Sequence, residues 1–267
     1  MTTPAVPHRF DLELEVPGTT DQVWHAIATA AGISAWMMPT ELDARLGGAV
    51  TFHMGPDAES RGHVTAFEPS RRIAYEEDWA TLVGHPDADV TPLVTEFVVE
   101  ARSGGTCVVR VVTSAFGTGA EWEHEFWEEM ETGWAPMLDN LRLYLAHFTG
   151  QQATAMFAAT GFEATPEAAI AAVRRSLGVD AVGKTVSGRG IDGHVERIID
   201  HYFLLRLDAP VPGLLSFYAF GADDTSAVHL QGHLFSGDAP GYVEREQSRW
   251  QEWLDGVAAD LAPTRPT

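Results

Sequence analysis

Apolar residues recur every three or four positions along Glu121–Phe148. Trp127, Met130, Trp134, Met137, Leu141, Leu145 and Phe148 would share one helical face. At about 1.5 Å per residue such a helix spans roughly 40 Å, long enough to cross a sheet. Glu121, Glu123, Glu125, Glu128, Glu129 and Glu131 crowd its first half, where the helix dipole favours carboxylates. Gly133 and Pro136 interrupt it. Pro136 has no N–H to donate, so the pattern predicts a kink there or a second helix starting there. The tryptophans and methionines have two readings, core packing or the lining of an adaptable apolar pocket.

Ahead of this helix the period drops to two. Phe10–Val16 alternates as a half-buried strand and ends at Pro17-Gly18. Thr19 or Thr20 can cap a short helix, Asp21–Ala30, with Val23, Trp24 and Ile27 on its apolar face. The stretch Ile33–Thr40 carries Pro39, and Leu46-Gly47-Gly48 reads as a turn. Further strands are predicted at Ala49–Met54, His63–Glu68, Ile73–Trp79, Val94–Ala101 and Thr106–Phe116, with Pro69-Ser70 and Ser103-Gly104-Gly105 as hairpin connections. The layout is α+β, an antiparallel sheet around one long helix.

Beyond Thr149 the pattern partly restarts. Thr165-Pro166-Glu167 opens a helix that runs to Leu177, and Gly188–Gly193 reads as a loop. Strands are expected at His194–Ile199, Phe203–Leu207, Leu214–Phe220 and Ala227–Phe235. The closing helix, Pro240–Leu261, carries Trp250, Trp253, Leu254, Val257 and Leu261. Gly193-His194-Val195 echoes Gly62-His63-Val64, each followed by strand, turn and strand. The expected organisation is a full unit over residues 8–148 and a smaller, degenerate copy over 150–262.

Charge narrows the partners. The 17 basic and 38 acidic side chains leave a net charge of −21, which argues against nucleic acid and anionic lipid, since phosphate contacts need clustered Lys and Arg. The single cysteine, Cys107, excludes an internal disulfide and reads as a buried, inert thiol in a strand. The opening MTTPAVPHRF lacks the apolar core of a signal peptide, and no run of eighteen apolar residues occurs. The expectation is a cytoplasmic protein with no membrane insertion.

Familiar catalytic motifs are missing. His229 and His233 would chelate a metal on a helix, but on a strand they stand about 13 Å apart at roughly 3.3 Å per residue. His124-Glu125-Phe126-Trp127-Glu128 begins like a zinc-binding H-E-x-x-H motif and ends in glutamate. With no nucleophile elbow, Walker loop or dinucleotide fingerprint either, no metal or cofactor is expected. Strand alternation sets Ala49, Thr51 and His53 on one face and Val50, Phe52 and Met54 on the other. It groups Ile73, Tyr75, Glu77 and Trp79, and likewise Leu93, Thr95, Phe97 and Val99. If Tyr75 and Trp79 face a pocket, Glu77 is a carboxylate among aromatics whose pKa desolvation would raise, fit for a general acid or base. The bland alternative puts Glu77 at a strand end near solvent. His53 is the second candidate proton carrier, with a surface position as its alternative. Glu41 and Asp43 are rim candidates.

Val23-Trp24, Trp36-Met37-Met38-Pro39-Thr40, Gly47-Gly48, Gly62-His63-Val64-Thr65-Ala66-Phe67-Glu68-Pro69 and Gly133-Trp134, in this order and spacing, resemble the SRPBCC (START-like, helix-grip) superfamily. The branch is the one similar to the C-terminal domain of the heat-shock ATPase activator. The resemblance covers roughly residues 8–148 and extends to the second half only in outline. It implies a cavity between sheet and C-terminal helix that takes apolar molecules, but no single chemistry, since members include binders, cyclases and hydrolases. The implied function is binding of a small hydrophobic ligand among Trp36, Phe52, Tyr75, Trp79, Phe97, Met130, Trp134 and Met137. The alternative is an enzyme of cyclase or dehydratase type using Glu77 and His53 for acid–base chemistry. A weaker alternative, by analogy with eukaryotic relatives, is a chaperone-partner module.

Overall fold

The two periodicities produce two antiparallel sheets, each with one long helix. The computed structural model describes residues 5–55, 58–222 and 224–262, and the chain divides into two units between Gln152 and Ala153. Residues 1–4, part of the stretch read for a signal peptide, lie outside the described residues. No described helix is long and apolar enough to cross a membrane.

The first unit begins with β1 (Val6–Pro17), whose alternate side chains His8, Phe10 and Val16 are buried. Thr19 then caps α1 (Thr20–Ala28) in a two-way box. Its hydroxyl accepts from the Gln22 N–H at 3.3 Å, and its own N–H donates to Gln22 Oε1 at 2.8 Å. Next come α2 (Ala30–Ser34), β2 (Thr40–Leu42), β3 (Ala49–Gly55), β4 (Ala58–Glu68), β5 (Arg72–Glu77), the short α3 (Trp79–Leu82), β6 (Leu93–Ala101) and β7 (Thr106–Gly117). The sheet order is β1-β7-β6-β5-β4-β3-β2. Cys107 is buried on β7.

Helix α4 (Glu121–His147) runs on through Gly133 and Pro136, so no second helix starts at the proline. Burial of Trp127, Trp134, Leu138, Leu141 and Leu145 on one face outweighs the poor helix propensity of Gly133 and Pro136. Met130 and Met137 are only half-buried, at the border of that face.

The second unit is β8 (Thr154–Phe162), α5 (Pro166–Leu177), β9 (Thr185–Gly188), β10 (Ile191–Ile199), β11 (Tyr202–Ala209), β12 (Gly213–Ala222), β13 (Thr225–Leu234) and α6 (Ala239–Leu261). Its order, β8-β13-β12-β11-β10-β9, repeats that of the first sheet without the edge strand β2. Residues 188–193 are not a loop: only Arg189-Gly190, both at positive φ (50° and 74°), turn the chain between β9 and β10. Strand β8 was also missed, because TAMFAATGF is poor in the β-branched residues that mark strands.

The echo of Gly-His-Val is a structural equivalence. Gly62 pairs with Glu77 across the β4–β5 hairpin and Gly193 with Leu207 across β10–β11, and a bulge follows the valine in both. Val64 exchanges backbone hydrogen bonds with the preceding turn, Gly47 N–H to Val64 O and Val64 N–H to Gly48 O, both 2.8 Å. Val195 does the same with Gly183 and Lys184, at 2.8 and 2.9 Å. The histidines lie 3.3 Å from Glu76 and 2.9 Å from Asp208. The fold is therefore a helix-grip unit followed by a smaller copy. A Cβ on Gly62 would overlap the Glu76 carbonyl oxygen, and one on Gly193 the Arg206 carbonyl oxygen. Gly62→Ala should destabilise the first unit by roughly 1–3 kcal/mol, the usual cost of forcing backbone apart. Denaturant unfolding checks this, and a variant as stable as the parent would contradict the close approach.

Candidate functional site

Register partners in an antiparallel sheet project to the same face. Phe10, Thr113, Thr95, Tyr75 and Val64 therefore form one row across β1, β7, β6, β5 and β4, all turned inward and all buried. Over this row sits a connected set of rings. Phe52 lies 5.1 Å from Tyr75, Tyr75 6.2 Å from Phe97, and Phe97 6.3 Å from Trp36 and 5.7 Å from Trp134 of α4. Five of the eight proposed ligand contacts are thus joined. Met130 and Met137, one helical turn to either side of Trp134 on α4, are half-buried.

Trp79 belongs elsewhere. It is not the end of β5 but the first residue of α3, because the Asp78 side chain caps that helix by accepting the Thr81 N–H at 3.2 Å. There it packs against Trp122, Phe126 and Trp127 at 5.0, 4.8 and 6.1 Å, a neighbouring cluster on α3 and α4. Trp122 also stacks on His85 at 4.2 Å. It lines a surface hollow of about 430 Å³, together with Thr118 and the loop of residues 84–88.

Glu77 follows Tyr75 on the inner face of β5 and is 9% exposed. Among the described residues its carboxyl has one hydrogen bond, from Ser60 Oγ to Oε1 at 2.5 Å. Burial pushes its carboxyl up to about 7, and the Ser60 bond offsets only part of that. Burial first, and then the charge of Glu77, holds the Tyr75 phenol well above its ordinary value. A carboxyl near 7 can give or take a proton at neutral pH.

His53 does not join it. It pairs with Glu59 on the outer face, its side chain 37% exposed, 3.4 Å from Glu41 and 3.8 Å from Glu59. Since Phe52 and Ser60 are the inward pair beside it, the sheet separates Glu77 from His53 and the expected acid–base pair does not form. Asp43 is engaged with Arg45 at 2.8 Å.

Sequence reading passed over Glu123, one acid in a run of six. It is fully buried and accepts from the Thr118 N–H (2.9 Å), the Thr118 hydroxyl (2.6 Å) and the Gly119 N–H (2.9 Å), with His8 Nε2 at 3.1 Å. Burial pushes its carboxyl up, but these bonds outweigh it and bring the carboxyl down to about 2. The signal was positional: Ala120 at the N-cap of α4 has no side chain to offer, and Glu123 stands three residues on, where a carboxylate can reach back. His8 in turn stacks face to face on Trp127 at 5.3 Å.

His229 and His233 both lie on β13, where burial lowers His229 to about 4. His124, Glu125 and Glu128 sit on exposed positions of α4. Among the described residues no three His, Cys, Asp or Glu side chains are grouped to hold a metal.

The family described as Activator of Hsp90 ATPase homolog 1-like protein matches residues 18–146. This stretch, just under half of the chain, is similar to that family. The activator-like match spans α1 to α4 and so contains Glu77, the ring network and the Trp79 cluster. Among solved structures, a protein from Mesorhizobium loti is similar at 18% identity over 53% of this chain and 98% of that one, with a TM-score of 0.46. The di-domain ARO/CYC BexL from the BE-7585A biosynthetic pathway aligns over 97% of this chain and 100% of its own, at 13% identity and a TM-score of 0.44. The Aha1 dimer from Colwellia psychrerythraea aligns at 16% identity over 54% of this chain and 99% of that one, with a TM-score of 0.43. Comparison with curated protein sequences yields no match.

Proposed function

We propose that the activator-like unit binds a small, largely apolar molecule between its sheet and α4. The observation that carries this reading is the setting of Glu77: a buried carboxyl with a single hydroxyl partner, next to Tyr75 in a wall of five joined rings. Burying such a group disfavours its charged form and is seldom seen without a use for it, whereas rings supply apolar contact area and orientation. The hollow at Trp122 supports a route inward, because Trp122 contacts the buried Trp79.

Native mass spectrometry of the full chain, purified without detergent, tests the reading directly, with a retained organic molecule as the expected result. Titration with the neutral dye Nile red should give saturable, blue-shifted emission. Trp134→Arg, which sets a cation against the rings, should weaken that binding about tenfold or more. No saturable binding by the parent chain would overturn the proposal.

A second reading, acid–base catalysis of cyclase or dehydratase type, is favoured by the Glu77 carboxyl at about 7. In that case the retained molecule is product-like, and Glu77→Gln lowers its formation about 100-fold while affinity persists. Unchanged turnover would remove Glu77 from the chemistry.

A further inference from the structure

Among the described residues, two buried polar atoms of the first unit have no hydrogen-bond partner: the indole Nε1 of Trp127 and the hydroxyl of Thr113. Both residues are shielded from solvent, at 7% and 0% exposure. Three indoles at 1% exposure or less are satisfied. Trp36 donates to Ala26 O and Trp79 to Thr91 O, both at 2.9 Å, and Trp250 donates to the Tyr242 hydroxyl at 3.4 Å. In the first unit the buried hydroxyl of Thr40 donates to Met38 O at 2.8 Å and that of Ser60 to Glu77. A buried donor left unpaired forfeits its hydration with nothing in return, so two in one place call for a physical account.

Both residues adjoin Phe10. Thr113 is its register partner on β7, facing the same side of the sheet, and the Trp127 ring stands edge-on to it at 5.8 Å. His8 holds the other face of Trp127 by stacking, and is itself tied to Glu123 at 3.1 Å, so the indole is fixed. Glu77 is on β5, two strands from β7, about 10 Å away at roughly 4.8 Å per strand.

We propose that Trp127 and Thr113 form a second polar subsite, which receives a neutral acceptor oxygen of the bound molecule, a carbonyl or a phenol. This rests on the binding function proposed above and names the ligand group recognised at the end of the site away from Glu77. An indole N–H can only donate, so the group it meets must accept. A threonine hydroxyl can donate as well, and a carbonyl oxygen has two lone pairs for the two donors. Neither side chain carries a positive charge to offset a carboxylate or phosphate, so the oxygen is neutral. The ring of Phe10, adjacent to both, supplies a flat apolar neighbour for the carbon frame that bears the oxygen.

The test compares two probes of nearly equal shape, 2-acetonaphthone, which has the acceptor, and 2-ethylnaphthalene, which lacks it, by calorimetry on the full chain. The expected result is about five- to tenfold tighter binding of the ketone. Thr113→Val and Trp127→Phe should each reduce that preference, and together erase it, while 2-ethylnaphthalene affinity changes less than about twofold. In the parent chain the Trp127 indole proton resonance, assigned by its loss in Trp127→Phe, should move downfield with the ketone and not with the hydrocarbon. Thr113→Val conserves shape and removes an unpaired hydroxyl, so the melting temperature of its ligand-free form should hold or rise. Equal affinity for the two probes, or a preference that survives both substitutions, overturns the subsite while leaving the apolar site standing. A fall in the melting temperature of Thr113→Val also overturns it, since the hydroxyl would then serve the fold. Failure of both probes to bind overturns the binding function itself, and the subsite with it.

Discussion

Glu123→Ala should destabilise the first unit by about 3–5 kcal/mol, the cost of leaving several buried donors unpaired at once. The carboxylate closes the turn ahead of α4 by accepting two backbone N–H groups and a hydroxyl, and it also meets His8 on β1. Removing it strands the Thr118 and Gly119 N–H groups and frees the ring that stacks on Trp127. Glu123→Gln keeps the volume but turns an amide against donors, so it should recover only part of the loss. The pH dependence carries a definite sign. The folded carboxyl, at about 2, lies below its ordinary 4.5, so its contribution is complete above pH 4.5 and is lost as pH falls through 2. The shift corresponds to at most about 3 kcal/mol. Denaturant unfolding between pH 2 and 7, followed by hydrogen exchange of the β1 and β7 amides, reads the first unit alone. The parent should weaken steeply below pH 4.5 and Glu123→Ala much less. Parallel curves would show that some other acid governs the acid limb.

Elements with long, regular patterns were legible in the chain. Helix α4 shows its apolar face over 27 residues, and α5 announces itself with Thr165 as cap and Pro166 in its first turn. The Gly-His-Val echo pointed to the duplicated hairpin because in both units a strand glycine lets the facing backbone approach. Short or weakly patterned strands were not legible: β8 is rich in alanine and β9 has four residues. Trp79 continues the alternation of Ile73, Tyr75 and Glu77, and only the capping capacity of Asp78 betrays the change from strand to helix. Alternation placed Tyr75, Glu77 and Phe97 on one face correctly. It said nothing of whether Glu77 and His53 share a face, because that depends on register between β3, β4 and β5. The roles of Glu123, Trp127 and Thr113 were invisible for the same reason. Whether a polar atom is satisfied is decided by residues about 100 positions away, as with His8 and Glu123.

Glu77→Gln should stabilise the first unit by roughly 3 kcal/mol at pH 8 and leave it nearly unchanged at pH 4. The folded carboxyl, at about 7, lies above its ordinary 4.5. Below pH 4.5 the group is protonated in both states and costs nothing. Between 4.5 and 7 the unfolded chain gives up its proton while the folded one retains it, so stability falls as pH rises and levels off once the buried group is charged too. Glutamine stays neutral throughout, fits the same volume and can still accept the Ser60 hydroxyl, so its stability curve should be flat across that window. Unfolding midpoints of the two proteins at pH 4, 6 and 8, read on the amides of β5 and β6, measure the difference. A variant that gains nothing at pH 8 would mean that water reaches the carboxyl in the folded unit. The group would then titrate as an ordinary surface acid, and the same result would deny it the proton at neutral pH that acid catalysis at this position requires.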